Sequence, residues 1–193
     1  MTGSPDTSAA NAGTIRLGEL SVNRLGFGAM RLCGPDAWGR RRDRGNERRV
    51  LARALELGVN FIDTADSYGP GANETLIAEA LHPYPRGLVI ATKGGLERPG
   101  RRSWVNDGRP EHLRRALDGS LQRLRLERVD LYQLHAPDPK VPFAESIAAL
   151  AELQRAGKIR HIGISNVTLA QLEEARRIVS VVSVQNEYNL RER

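Results

Sequence analysis

The sequence predicts an α/β protein of the (β/α)8 TIM-barrel class that stops after its sixth strand and carries a short N-terminal hairpin. Three observations predict it. Short apolar runs alternate with segments of helical periodicity along most of the chain. The runs are apolar on both faces, as parallel strands covered by helices must be. Polar residues gather just after several different runs: Asp63, Lys93, His135, then Ser165 with Asn166. A doubly wound sheet concentrates its site at one switch point, whereas a barrel collects functional groups from many strand ends on one face. The G-x-G-x-x-G turn of a dinucleotide-binding doubly wound sheet is also absent after the first strand.

The elements follow in order. Residues 1–13, MTGSPDTSAANAG, are small and polar with no apolar signal core, so a disordered tail is expected, leaving 14–193 as a partial barrel domain. TIRLGELSVNRL reads as a hairpin turning at Gly18 and Glu19. RLGFGAM, residues 24–30, is the first barrel strand. A loop leads to ERRVLARALELG, a helix with Asn46 as its expected cap and Gly58 as its stop. VNFI is the second strand, NETLIAEALH a helix and GLVIATK the third strand. PEHLRRALDGSLQRL has Pro110 in its first turn and Leu113, Ala116, Leu117, Leu121 and Leu124 on one face. RVDLYQLH, FAESIAALAELQRAG, KIRHIGIS, TLAQLEEARRI and VVSVQNEY continue the alternation. That makes six strands and five following helices. A closed barrel has eight of each, typically in about 250 residues. An open arc exposes two strand edges, so either the chain is partial or a partner supplies the rest.

Composition narrows the function. The 193 residues suffice for one domain, and 40% apolar with 27% charged residues suits a soluble globular protein. The net charge is +6, but only Lys93, Lys140 and Lys158 of the 29 basic residues are lysines, a compositional bias toward arginine. The densest cluster, residues 39–49, is interrupted by acids and lacks stacking aromatics, so a solvated loop is expected rather than a nucleic-acid partner. Cys33 is the single cysteine, nothing is spaced like a zinc site, and no metal is expected. No apolar run approaches the roughly 20 residues of a membrane helix. A cytoplasmic protein without a membrane partner is expected; the oligomeric state is not legible.

Gathered at one barrel mouth, Asp63, Tyr68, Lys93 and His135 suit proton transfer. A phenol, with a pKa of about 10, is a poor acid near neutrality. A lysine ammonium in reach favours the phenolate and lowers that pKa. A carboxylate holds the lysine charged, and a histidine can orient a carbonyl. Such a set can protonate a developing alkoxide while a hydride arrives from a cofactor.

On these residues the sequence resembles the aldo-keto reductases, NAD(P)H-dependent (β/α)8 barrels that reduce aldehydes and ketones. The stretches that carry the resemblance are GVNFIDTADSYGPGANETLIAEAL, VIATKGG, VDLYQLHAPDP, GKIRHIGISN and VSVQNEYN, together spanning roughly Ile15 to Asn189. The resemblance implies Tyr68 as general acid, Lys93 and Asp63 as its tuning pair, and His135 as the group that orients the substrate. It implies that Ser165, Asn166 and Gln185 hold the nicotinamide carboxamide and that Met30 and Arg31 lie near the cofactor ribose and substrate. The implied cofactor is NADPH, with NADH as the alternative; the implied partner is a small aldehyde or ketone. The family's stacking residue from strand seven and its adenosine-phosphate site after strand eight have no counterpart here.

Each residue also has a plainer reading. Asp63 could cap its loop, Tyr68 could be packing and His135 structural. Ser165 and Asn166 could cap the helix after them and do both jobs. Lys93 is retained in an arginine-rich chain, which suits a role arginine cannot fill. Asp66 reads as a turn or surface acid, Thr64 and Ser67 as loop structure, and His82, His112 and His161 as structural. Cys33 and Trp38 fall in the loop after strand one, lining a pocket or covering it. Two other functions stay open: a non-catalytic or regulatory barrel fragment that needs a partner or its C-terminal units, and a Schiff-base lyase on Lys93.

Overall fold

A computed structural model describes residues 8–39 and 44–192. The N-terminal hairpin pairs β1 (Thr14–Leu17) with β2 (Leu20–Asn23), and Leu17 lies opposite Leu20. Then come β3 (Phe27–Gly28), α1 (Arg44–Glu56), β4 (Phe61–Asp63), α2 (Ala72–Leu81) and β5 (Val89–Gly94). A second hairpin, β6 (Leu96–Gly100) and β7 (Ser103–Asn106), precedes α3 (Pro110–Leu124). The chain continues through β8 (Val129–Leu134), α4 (Phe143–Arg155), β9 (Ile159–Ser165), α5 (Leu169–Ile178) and β10 (Val181–Gln185).

Six strands form one parallel sheet in chain order, β3-β4-β5-β8-β9-β10. A helix fills each crossover. That unbroken order winds a barrel; a doubly wound sheet reverses. β3 and β10 are the edges of the arc.

Alternation along each strand separates two cores. Val89 and Ala91 of β5 and Leu131 of β8 face inward, where Leu17 and Val22 of the first hairpin plug the barrel floor. Glu19 at the hairpin turn ties that plug to Arg160 and His161 of β9, each at 2.6 Å. Ile90 faces outward with Leu51, Ile77 and Leu124. Tyr132 and Leu134 face outward against Leu113, Leu117, Ile147 and Leu150. Full burial of each such side chain contributes about 1.5–3 kcal/mol, so this outer layer holds the strands in register.

The structure changes four expectations. Residues 8–13, expected in a disordered tail, form a 3-10 turn over Ala9–Ala12. Ser8 Oγ accepts from Ala10 N at 3.3 Å, and Ala9 N donates to Leu57 O at 2.6 Å. Residues 1–7 lie outside the described residues. Asn46 is not a cap, because α1 begins two residues earlier at Arg44; residues 40–43 of the arginine-rich cluster lie outside the described residues. The first barrel strand has only two ladder residues, and a 3-10 turn, Ala29–Cys33, takes over its end. The fourth change is the β6–β7 hairpin, a segment that the sequence reading assigned to no element. Its Arg and Gly-Pro content hides the strands, and side-chain stacking on Arg98 holds it rather than an apolar stripe. No helix among the described residues is long and apolar enough to cross a membrane.

Candidate active site

β4 ends at Asp63, paired with Gly28 on one side and Ala91 on the other. The loop after it keeps hugging β5: Thr64 N donates to Ala91 O at 2.9 Å and Asp66 N to Lys93 O at 3.2 Å. It then doubles back at Gly69, whose φ is +63°. A side chain there would put a Cβ 2.7 Å from both Cys33 Sγ and Gly39 O, so only glycine fits. This bend presses the Tyr68 ring, 6% exposed, against Ala37, Ala65 and Met30.

Lys93, 1% exposed, donates to Asp63 Oδ1 at 2.8 Å, to Asp63 Oδ2 at 2.7 Å and to Thr64 O at 3.0 Å. Gln133 Nε2 donates to Asp63 Oδ1 at 3.2 Å, and Ser183 Oγ donates to Gln133 Oε1 at 3.3 Å. One polar chain thus crosses β4, β5, β8 and β10. Lys93 Nζ lies 5.3 Å from the Tyr68 ring centroid, and His135, just past β8, meets that ring edge-on at 5.6 Å. Strand ends far apart in sequence therefore bring Asp63, Tyr68, Lys93 and His135 together.

The electrostatics differ from expectation in one respect. Burial pushes the Tyr68 phenol above its ordinary range, and the charges of Asp63 and Asp66 add to this. Burial and the two carboxylates outweigh the Lys93 ammonium, which is committed to three oxygens on the Asp63 side. Burial also pulls Lys93 below the ordinary ammonium value, against the pull of Asp63. His135 is pushed down to about 3 by burial and then by the Lys93 charge. It is a neutral imidazole at neutral pH, with Nδ1 3.4 Å from Ser67 Oγ.

Beside this cluster, Ser165 Oγ donates to Gln185 O at 2.7 Å. Asn166, in the left-handed region at φ +57°, donates from Nδ2 to His135 O at 2.9 Å and to Ser165 Oγ at 3.1 Å. Asparagine enters that region more readily than most residues, and these bonds fix its side chain there. The helix cap is Thr168, with a capping box to Gln171, so Ser165 and Asn166 are free of capping work. Gln185 lines a cavity of about 330 Å³ together with Asp63, Gln133, Ser183 and Phe27. Met30 packs toward Tyr68, whereas Arg31 is exposed in the 3-10 turn.

Sequence reasoning missed Gln133, although it lies two residues before His135 and so on the same strand face. It also underrated Asp66. The Oδ1 of Asp66 is sealed from solvent with no partner, and burial followed by the Glu74 charge raises its carboxyl to about 8. A carboxyl raised in the fold favours folding below its unfolded value, and that contribution is lost as pH rises through about 8. Asp66→Asn is therefore expected to raise Tm by more than about 5 °C at pH 8 and by nearly nothing at pH 4. A gain that is the same at both pH values in thermal melts would refute this account.

The family model for the aldo/keto reductase family matches residues 24–193. The chain belongs to the aldo-keto reductase family. An aldo-keto reductase resemblance read from motifs is thus met by a match over most of the chain. Among relatives, an uncharacterized oxidoreductase of Schizosaccharomyces pombe is 48% identical over 182 residues, 94% of this chain and 59% of that protein. The pyridoxine 4-dehydrogenase of Escherichia coli is 44% identical over 190 residues, 95% of this chain and 66% of that protein. The glycerol dehydrogenase structure from Gluconobacter oxydans superposes with a TM-score of 0.84 at 34% identity, over 94% of this chain and 57% of that one. A holo aldo-keto reductase from Bacillus halodurans gives 0.78 at 35% identity, over 91% and 57%. The chain thus spans about two thirds or less of the length of each relative.

Proposed function

We propose that this aldo-keto reductase site reduces an aldehyde or ketone to an alcohol at the expense of NADPH, with NADH as the alternative donor. The observation that carries the reading is the Tyr68 ring held between Lys93 Nζ at 5.3 Å and the His135 ring at 5.6 Å, at the end of three strands. When bound, the reduced nicotinamide supplies the hydride to the carbonyl carbon. Tyr68 Oη gives its proton to the carbonyl oxygen, which becomes the alcohol hydroxyl. The phenol carries its proton at neutral pH. Lys93, fixed by Asp63, is the charge that stabilises the phenolate left behind. Neutral His135, whose Nδ1 lies 3.4 Å from Ser67 Oγ, offers Nε2–H to orient the carbonyl in the tautomer where Ser67 donates.

The residues fit a carboxamide. Asn166 Oδ1 accepts no hydrogen bond among the described residues, and Gln185 pairs with Ser165 on the neighbouring strand. A primary amide needs one donor and one acceptor partner, and Ser165, Asn166 and Gln185 supply both kinds. Met30 and Arg31 are assigned to the ribose and substrate side. The names of two relatives lend support: pyridoxine 4-dehydrogenase and glycerol dehydrogenase both denote alcohol oxidation, the same reaction run backward.

The test is carbonyl-dependent loss of nicotinamide absorbance, on the 193-residue chain and on the chain extended by the last strands of the E. coli relative. One cofactor oxidised per alcohol formed is expected in the extended chain. Tight cofactor binding with no turnover across a panel of aldehydes and ketones would sink the reading.

A further inference from the structure

The β6–β7 hairpin plays no part in the reaction as derived so far, yet Arg98 on it has more partners than any other arginine described. Arg98 is 8% exposed, although each of its described hydrogen bonds goes to a backbone carbonyl rather than to a carboxylate. Its Nε donates to Ser103 O at 3.0 Å, Nη1 to Ala37 O at 3.3 Å and Nη2 to Asp36 O at 2.9 Å, with a further bond to Arg101 O. Its guanidinium lies 3.6 Å over the Trp104 ring and 5.2 Å from that of Trp38. The planar fork thus satisfies its donors at its edge while its face lies close over the Trp104 ring, with the Trp38 ring also near.

Both ends of this clamp reach Tyr68. The Ala37 carbonyl that accepts from Arg98 also accepts from Gly69 N at 2.8 Å, the residue after Tyr68. Asp36 and Ala37 sit at φ +59° and +47°, a left-handed pair whose two carbonyls Arg98 captures. The Trp104 ring meets the Tyr68 ring edge-on at 6.5 Å. Arg98 therefore supports the backbone beside the phenol through Ala37 and its ring through Trp104.

We infer that Arg98 is a positioning residue for Tyr68: it clamps the loop after β3 and the β6–β7 hairpin into one wall that fixes the phenol. Charge alone does not do this. Lysine keeps the charge but cannot bond four carbonyls through one planar fork or lie flat over the Trp104 ring. The activity consequence rests on the carbonyl-reduction reading; the geometric one does not.

Trp38 and Trp104 are the only tryptophans in the chain, so optical signals report the clamp directly. In Trp38→Phe protein, the near-ultraviolet dichroism removed by a further Tyr68→Phe change belongs to the Trp104–Tyr68 pair. Arg98→Lys and Arg98→Gln, each shown to be folded by a cooperative melt, are expected to lose that band and to raise acrylamide quenching of Trp104 at least ~2-fold. In the extended chain, Arg98→Lys is expected to lower kcat by roughly 10- to 100-fold, as small misplacements of reacting groups do, with cofactor Kd within about 2-fold. A retained band in folded Arg98→Lys overturns the proposal whatever the activity. So does a lost band with unchanged kcat. If wild type and variants alike turn over no carbonyl, the reduction reading fails, and the band alone decides whether Arg98 positions Tyr68.

Discussion

Tyr68→Phe is expected to lower carbonyl reduction by roughly 10²- to 10⁴-fold in the chain completed to eight strands, with cofactor affinity nearly unchanged. The substitution removes one oxygen and little else. The ring is 6% exposed and is packed by Ala37, Ala65 and Met30, with the edges of Trp104 and His135 against it. Phenylalanine fills the same space. No described residue hydrogen-bonds the phenol oxygen, so the fold loses no bonded partner. Stability is expected to move by less than about 0.5 kcal/mol, as for a substitution that touches none of the costly mechanisms. The split between an intact fold and lost turnover is what identifies the acid. His135 cannot stand in, because burial and the Lys93 charge hold its pKa at about 3 and leave no imidazolium near neutrality. Single-turnover kinetics with cofactor prebound is the measurement. A Tyr68→Phe rate within tenfold of wild type would remove Tyr68 from the acid role.

The order of strands and helices was legible because its cause is local. β5 opens on the apolar run Val89–Ala91, β8 sets Val129, Leu131, Tyr132 and Leu134 around two polar residues, and α3 carries Leu113, Leu117 and Leu124 on one face, all fully buried. The four residues Asp63, Tyr68, Lys93 and His135 were legible because a barrel forces successive strand ends onto one mouth. What lay outside that logic was missed. Arg98, Trp104 and the hairpin that carries them are held by cation–π stacking and carbonyl capture, which leave no periodicity in the sequence. Asp66 read as a surface acid because solvent exclusion at Oδ1 depends on packing from α2 and α3, not on its neighbours. The direction of the Tyr68 shift was misjudged for the same reason. Motif order puts Lys93 near the phenol, but only coordinates reveal that its charge points at Asp63.

Lys93→Met is expected to destabilise the fold by about 3–5 kcal/mol, the usual consequence of stripping one partner from a buried ion pair. Lys93 is 1% exposed and its ammonium makes three hydrogen bonds. Without it, the Asp63 carboxylate, 15% exposed, keeps only Gln133 as a described donor. The pH dependence gives the cause away. In Lys93→Met the Asp63 charge is left without its cation in a largely buried site. Asp63→Asn leaves the opposite problem, an ammonium that burial already depresses, now without the charge that opposes this. The unfolded chain then binds the proton more readily than the fold, so Asp63→Asn should gain stability as pH rises toward the ordinary lysine range of about 10. The double variant, with neither charge, should be flatter with pH than either single one and more stable than additivity predicts. Urea melts of the four proteins between acid and alkaline pH close the cycle, with a coupling above about 1 kcal/mol expected for groups in contact. Additive losses with parallel pH profiles would show that Lys93 and Asp63 do not stabilise the site as a pair.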